Sequence, residues 1–185
     1  MVLGLNSVYN DILFMLKQRV IILMGSKRDL DFAISVGRVL KRFDVDYEYR
    51  IASAHKTPRE LLTILEEYEQ SGDKVVYITI AGMSNTLSGF VDANTRYPVI
   101  ACPPSSEKLD VDIYSSLRMP SGVAPVVILN PENAALAAAK ILGLENPSMS
   151  ERLSRFQLEK QKEVSNADNE VKRKTTSDLE KQTAG

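Results

Sequence analysis

VIILMGSKRD, residues 20–29, decides the fold. Val20 to Met24 are five consecutive apolar side chains, without the polar alternation of a strand that has one wet face. Such a run is expected of a central strand covered on both sides, as in a parallel sheet. Gly25 and Ser26 end it, and Leu30, Ala33, Ile34, Val36, Gly37 and Leu40 then follow at helical spacing. Buried strand, tight turn and amphipathic helix together form the first half of a βαβ unit.

The same alternation continues outward. VDYEYRI (45–51) reads as a second strand, after which Pro58 opens a helix at a first-turn position that suits proline. Leu61, Leu62, Leu65 and Tyr68 supply its apolar face, and Gly72 ends it. KVVYITIA (74–81) is a third strand running into Gly82, and a helix is expected over about 85–95. PVIA (98–101) is a fourth strand, stopped by Pro103-Pro104; a loop and short helix lead from there to Met119-Pro120-Ser121-Gly122. PVVIL (125–129) is a fifth strand, and residues 131–142 form an alanine-rich helix. Strands alternating with helices imply a parallel sheet with helices on both faces. The expected class is therefore α/β: a three-layer αβα sandwich with a central parallel sheet, flavodoxin- or Rossmann-like, plus a C-terminal helix.

The 185 residues suit one such domain, with boundaries at residues 20–165. That span includes a polar C-terminal helix from Met149 to about Val164. Before it, residues 1–19 read as an amphipathic helical extension, with Leu5, Val8, Tyr9, Ile12, Leu13 and Leu16 on one face. They lack a basic segment ahead of the apolar part and an obvious small-residue cleavage site; a divergent organelle signal is the alternative. Residues 166–185 carry many charges and almost no large apolar side chains, so a disordered polar tail is expected there.

A formal net charge of −1 argues against a general nucleic-acid binder, which would carry a basic face. A small anionic ligand needs only a local site and is compatible with it. The single cysteine, Cys102, cannot form an internal disulfide, which fits a reducing, cytoplasmic compartment. No stretch reaches the ~18–20 apolar residues of a membrane span.

In open parallel sheets ligands bind beyond the carboxyl ends of the strands, so the loops there are the candidates. Gly25 to Asp29 joins strand to helix, and free N–H groups at a helix start favour phosphate. Gly25 permits close approach, Ser26 can donate to phosphate, and Asp29 can accept from ribose hydroxyls. An ordinary helix cap explains the same residues. Ser53 to Pro58 holds His55, the only histidine in the chain, with Lys56 beside it to neutralise an anion. Histidine is the one side-chain type whose ordinary pKa, about 6.5, allows ready proton exchange near neutrality. An incidental histidine in a capping loop is the plain alternative. In Ala81 to Asn85, Gly82 can free a loop whose N–H groups, with Ser84 and Asn85, hold a carboxylate or CO2; a cap by Ser84 is the simpler role. Cys102 lies against two prolines with no base to activate it. One histidine and one cysteine match no common zinc pattern, and no G-x-G-x-x-G follows the first strand, so neither a metal nor a dinucleotide cofactor is expected. The residues by themselves lead to a phosphorylated small molecule and proton transfer.

Taken together, MGSKRD (24–29), SAHKTP (53–58), AGMSN (81–85) and SLRMPSG (116–122) resemble the aminoimidazole ribonucleotide (AIR) carboxylase and carboxyaminoimidazole ribonucleotide mutase family. The resemblance covers about residues 19–144. One branch of that family rearranges a carbamate and typically reads SAHRTP, AGGAAHLPG and QMPRG. The other uses CO2 directly and typically reads SAHK, AG-x-SN and LPSG, with a CPP turn. Lys56, Ser84-Asn85, Thr86, Ser121 and Cys102-Pro103-Pro104 fall on the CO2-using side; Met83 and Ser88 depart from the mutase branch, which has glycine and proline there.

The resemblance implies reversible carboxylation of AIR at C4 in purine synthesis, with no cofactor. Within it His55 is the catalytic base, while Ser26, Asp29, Ser53, Lys56, Gly82, Ser84 and Asn85 bind substrate. It also implies a homo-oligomer, commonly an octamer, with sites built across subunits. The mutase reaction is the alternative within the family, and a non-catalytic nucleotide-binding module is the alternative outside enzymes.

Overall fold

A computed structural model describes residues 17–104 and 109–174. Most of the expected N-terminal helix and the last eleven tail residues therefore lie outside the described residues. β1 (Gln18–Met24), β2 (Asp46–Ile51), β3 (Lys74–Ile80), β4 (Val99–Ala101) and β5 (Val126–Val127) form one sheet in the order β2-β1-β3-β4-β5. Every pairing is parallel. The helices are α1 (Leu30–Arg42), entered through a 3-10 turn at Lys27–Asp29, then α2 (Pro58–Ser71), α3 (Thr86–Ala93), α4 (Leu109–Leu117), α5 (Pro131–Gly143) and α6 (Pro147–Arg173). This is the flavodoxin-like arrangement expected from the alternating pattern.

The period of two along a strand divides the core into two layers. Val20, Ile22 and Met24 of β1, with Val76, Ile78 and Ile80 of β3, pack against Ala33, Val36 and Leu40 of α1 and the alanines of α5. Ala134, Ala135, Ala138 and Ala139 are fully buried; their small side chains let α5 lie close to the sheet and to α1. The intervening residues Ile21, Leu23, Val75 and Tyr77 face Leu61, Ile64, Leu65 and Tyr68 of α2 and Leu87 and Val91 of α3. Each large apolar side chain so buried contributes roughly 1.5–3 kcal/mol, and all five from Val20 to Met24 are at most 1% exposed.

Beyond shifts of one or two residues at element ends, three differences from the sequence reading bear on the fold. Gln18 and Arg19 belong to β1 rather than to an extension, because they pair with Lys74 and Val75 of β3. β5 is only two residues long, at the sheet edge where Val126 is half exposed. The larger correction concerns residues 166–173, expected to be disordered, which continue α6. Low apolar content removed the tertiary reason for order, but local terms favour the helix. Asn146 caps it by accepting from the Met149 N–H, and within α6 no glycine or proline follows Pro147. Lys172 with Asp168, and Lys174 with Glu170, form ion pairs four residues apart. Only its first turns are anchored: Met149 and Leu153 are buried, and Phe156 meets Phe43 edge-on at 5.3 Å.

Where α1 crosses β2, the packing leaves no room for a side chain larger than that of glycine unless two tyrosines move. A Cβ on Gly37 would fall 2.0 Å from the Tyr49 hydroxyl and 2.9 Å from the Tyr47 ring. Both rings, stacked edge to face at 5.4 Å, would have to move together. Gly37→Ala is therefore expected to lower stability by about 1–3 kcal/mol through overpacking, read as a reduced urea midpoint; an unchanged midpoint would mean the rings yield freely.

Candidate active site

Register brings the candidate loops to one level. Met24 is aligned with Ile51 of β2 and with Ile80 of β3, so the segments after β1, β2 and β3 leave the sheet side by side. They do so where the strand order reverses, between β1 and β3, which is where such sheets open a crevice. Gly25, Ser26, Asp29, Ser53, His55, Lys56, Gly82 and Ser84 all line one cleft enclosing about 1160 Å3 of space continuous with solvent. Of the residues expected to bind substrate or act on it, only Asn85 is missing from its lining, and neither Cys102-Pro103-Pro104 nor the 116–122 motif contributes to it.

The first loop turns immediately into the 3-10 turn. Ser26 Oγ accepts from the Arg28 N–H at 3.0 Å, capping the turn while its own hydroxyl proton remains available to a ligand. Asp29 is half-buried. Desolvation raises its carboxyl above the ordinary range, and a backbone hydrogen bond with Ser26 pulls the other way.

A closed turn makes the second loop. The Thr57 N–H donates to the Ser53 carbonyl at 2.8 Å, and the Ser53 N–H donates to Thr57 Oγ1 at 3.0 Å. Lys56 N–H reaches Ser53 Oγ at 3.3 Å. Ser53 thus shapes the turn that carries His55 and Lys56, both exposed to the cleft. The His55 ring meets the third loop: its Nε2 lies 3.0 Å from Thr86 Oγ1.

The third loop differs from its sequence reading in one way. Left-handed backbone occurs at Met83 (φ 21°) and Ser84 (φ 51°), not at Gly82. Side chains disfavour that region by roughly 1–2 kcal/mol per residue, so the loop must be held by its surroundings. Asn85 does much of the holding. It is 3% exposed. Its N–H donates to Ser115 Oγ at 2.8 Å, its Nδ2 donates to Ser116 Oγ at 2.9 Å, and its Oδ1 accepts from the Ser88 N–H at 3.2 Å as the cap of α3. Asp112 Oδ1 adds a longer contact of 3.4 Å to the Ser84 N–H. The buried asparagine thus engages its amide oxygen with α3 and one amide N–H with α4.

Arg28 and Lys56 bring two positive charges to a cleft whose lining includes one acid, Asp29. That balance suits an anion with adjoining hydroxyls. The place of Arg28 in the cleft and the contact of Thr86 with His55 were not legible in the sequence. Arg28 stands in a basic doublet at the strand–helix junction, a weak signal; Thr86 is 31 residues from His55, and no local pattern links them.

Cys102, which was not expected to act as a nucleophile, is fully buried, with its Sγ 3.8 Å from the Leu129 carbonyl. Burial pushes its thiol up to about 12. With the folded value raised, the thiolate is absent until the pH approaches that figure, so the native protein should resist Ellman's reagent at pH ~8 and react with one equivalent in denaturant. Rapid labelling of the native chain would contradict this burial.

No described helix is long and apolar enough to cross a membrane. The AIR carboxylase family model matches residues 19–163. A phosphoribosylaminoimidazole carboxylase of Archaeoglobus fulgidus is 52% identical over 155 residues, covering 83% of this chain and 85% of that protein. Its Treponema denticola namesake is 44% identical, covering 83% and 98% respectively. The crystal structure of Treponema denticola PurE superposes with a TM-score of 0.82 at 43% identity, covering 84% of this chain and 99% of that one. A bifunctional human carboxylase and succinocarboxamide synthetase is 44% identical over 129 residues, which span 69% of this chain and 30% of that protein. With family model, relatives and fold agreeing over the segment that builds the cleft, the chain belongs to the AIR carboxylase family.

Proposed function

We propose that this chain carboxylates AIR reversibly with CO2 at C4, giving 4-carboxy-AIR in purine biosynthesis. The observation that carries the reading is one cleft holding the only histidine together with Lys56, Arg28, Ser26 and Asp29. Ser26 and Lys56 bind the phosphate and Asp29 the ribose, while Ser53 fixes the turn that carries His55. Gly82 and Ser84 hold CO2 and the new carboxylate; Asn85 serves them by holding their backbone.

The aminoimidazole ring is electron-rich, so C4 attacks the CO2 carbon directly and the new C–C bond places negative charge on the carboxylate oxygens. Donors fixed where that charge develops lower the barrier. C4 is then tetrahedral and carries one proton too many for an aromatic ring. His55 removes it, and returns it in the reverse decarboxylation. Neither biotin, metal nor ATP is required by these steps.

We also propose a cytoplasmic homo-oligomer, an octamer, to which sites on neighbouring subunits contribute. The apolar face of α4 supports the association: Val111, Tyr114 and Leu117 recur at helical spacing beside the cleft and are 58–79% exposed.

His55→Asn should lower kcat by roughly 10²–10⁴-fold, the usual contribution of a general base, while AIR binding measured by calorimetry is retained. Undiminished turnover would remove His55 from the mechanism. The choice between branches rests on product formation from purified protein. Turnover of AIR that depends on CO2 is expected; turnover of the carbamate under CO2 depletion would assign the mutase reaction instead.

A further inference from the structure

We propose that Thr86 is the positioning residue for His55, its hydroxyl fixing both the orientation and the tautomer of the imidazole. The inference rests on the proton-transfer role of His55 and adds a residue to it.

His55 is exposed at the crest of a turn, and among the described residues the one hydrogen-bond partner of its ring is Thr86 Oγ1, at 3.0 Å. An exposed ring without partners samples several rotamers, and holding it in one costs conformational entropy. Here the bond joins two rigid frames. On one side, the Ser53–Thr57 hydrogen bonds close the turn. On the other, Thr86 is the first residue of α3, which is capped by buried Asn85 and anchored in the core through Leu87 and Val91. This one contact therefore ties the exposed ring to α3.

Its direction follows from counting protons. A threonine hydroxyl has one hydrogen and can also accept. Thr86 Oγ1 lies 3.4 Å from the Ser84 carbonyl oxygen, an acceptor only. If the hydroxyl donates to Ser84, it accepts from Nε2–H and both contacts are satisfied. If it donates to Nε2 instead, the Ser84 contact is lost. The first arrangement makes the longer relay, in which each hydrogen bond polarises the next. It leaves Nδ1 with a free lone pair. When Nδ1 takes the proton from C4, the Nε2–H bond to Thr86 persists, so the ring need not reorient during the cycle.

The test uses Thr86→Val, which keeps the shape and removes the hydroxyl, and Thr86→Ser, which keeps the hydroxyl. Thr86→Ala provides a second loss variant should valine disturb the turn. As the chain's only histidine, His55 gives unambiguous 15N and 1H ring signals. Recorded without substrate at pH ~8.5, above the ordinary imidazole range, the parent and Thr86→Ser should show one tautomer, protonated at Nε2. Thr86→Val and Thr86→Ala should show a mixture. In turnover, loss of the hydroxyl should lower kcat roughly 10–100-fold, the scale of a misplaced catalytic group, with KM little changed and kcat largely restored in Thr86→Ser. An Nδ1-protonated parent ring, a parent mixture like that of Thr86→Val, or parental kcat in both loss variants would overturn the proposal. Absence of AIR carboxylation by the parent would instead overturn the carboxylase reading, and the ring spectra would still decide the Thr86 contact.

Discussion

β1 is hydrogen-bonded along both edges and covered on both faces, and the rest of the molecule depends on that double burial. Its residues pair with β2 on one side and β3 on the other, and alternate side chains enter the two separate cores. From Val20 to Met24 the strand has no wet face, and that stretch carries no polar residue. It also sets the register. With Met24 level with Ile51 and Ile80, three loops distant in sequence are delivered to one crevice. A slip of one residue would exchange the two cores and turn every apolar side chain of β1 toward the wrong layer.

Around that rigid centre the cleft is assembled from less regular backbone. Its polar groups divide into those that hold the loops and those left for a ligand. Ser53, Thr57, Asn85, Ser115 and Ser116 hydrogen-bond within the protein and fix the turns. Arg28, Asp29, His55 and Lys56 face the open space. The left-handed backbone at Met83 and Ser84 illustrates the dependence: it persists because Asn85 ties the loop to α4, a helix that also presents an exposed apolar face. A surface that covered that face would steady the loop through the same contacts.

Much of this was legible in order along the chain. The apolar run at Val20, the proline at the start of α2 and the glycine after it, which adopts φ 72°, marked elements to within a residue or two. Short-range rules suffice where hydrophobic period and capping chemistry agree. They failed where two tendencies competed. For residues 166–173, poor apolar content suggested disorder, but ion pairs four residues apart and an uninterrupted run of helix-compatible residues extend α6. For Asn85, nothing local showed that a polar residue in a candidate binding loop would be buried and bonded to Ser116 of α4.

The sequence by itself determined the layers, the strand–helix alternation, the four motif-bearing loops and the family to which they belong, because each depends on residues close together in the chain. Only the tertiary structure decided which of those residues share a cleft, that Asn85 supports the loop from behind, and that Thr86 meets the His55 ring. These are contacts between segments about thirty residues apart. They exist because parallel register and two-sided packing bring the ends of β1, β2 and β3 together, and no local pattern encodes that distance.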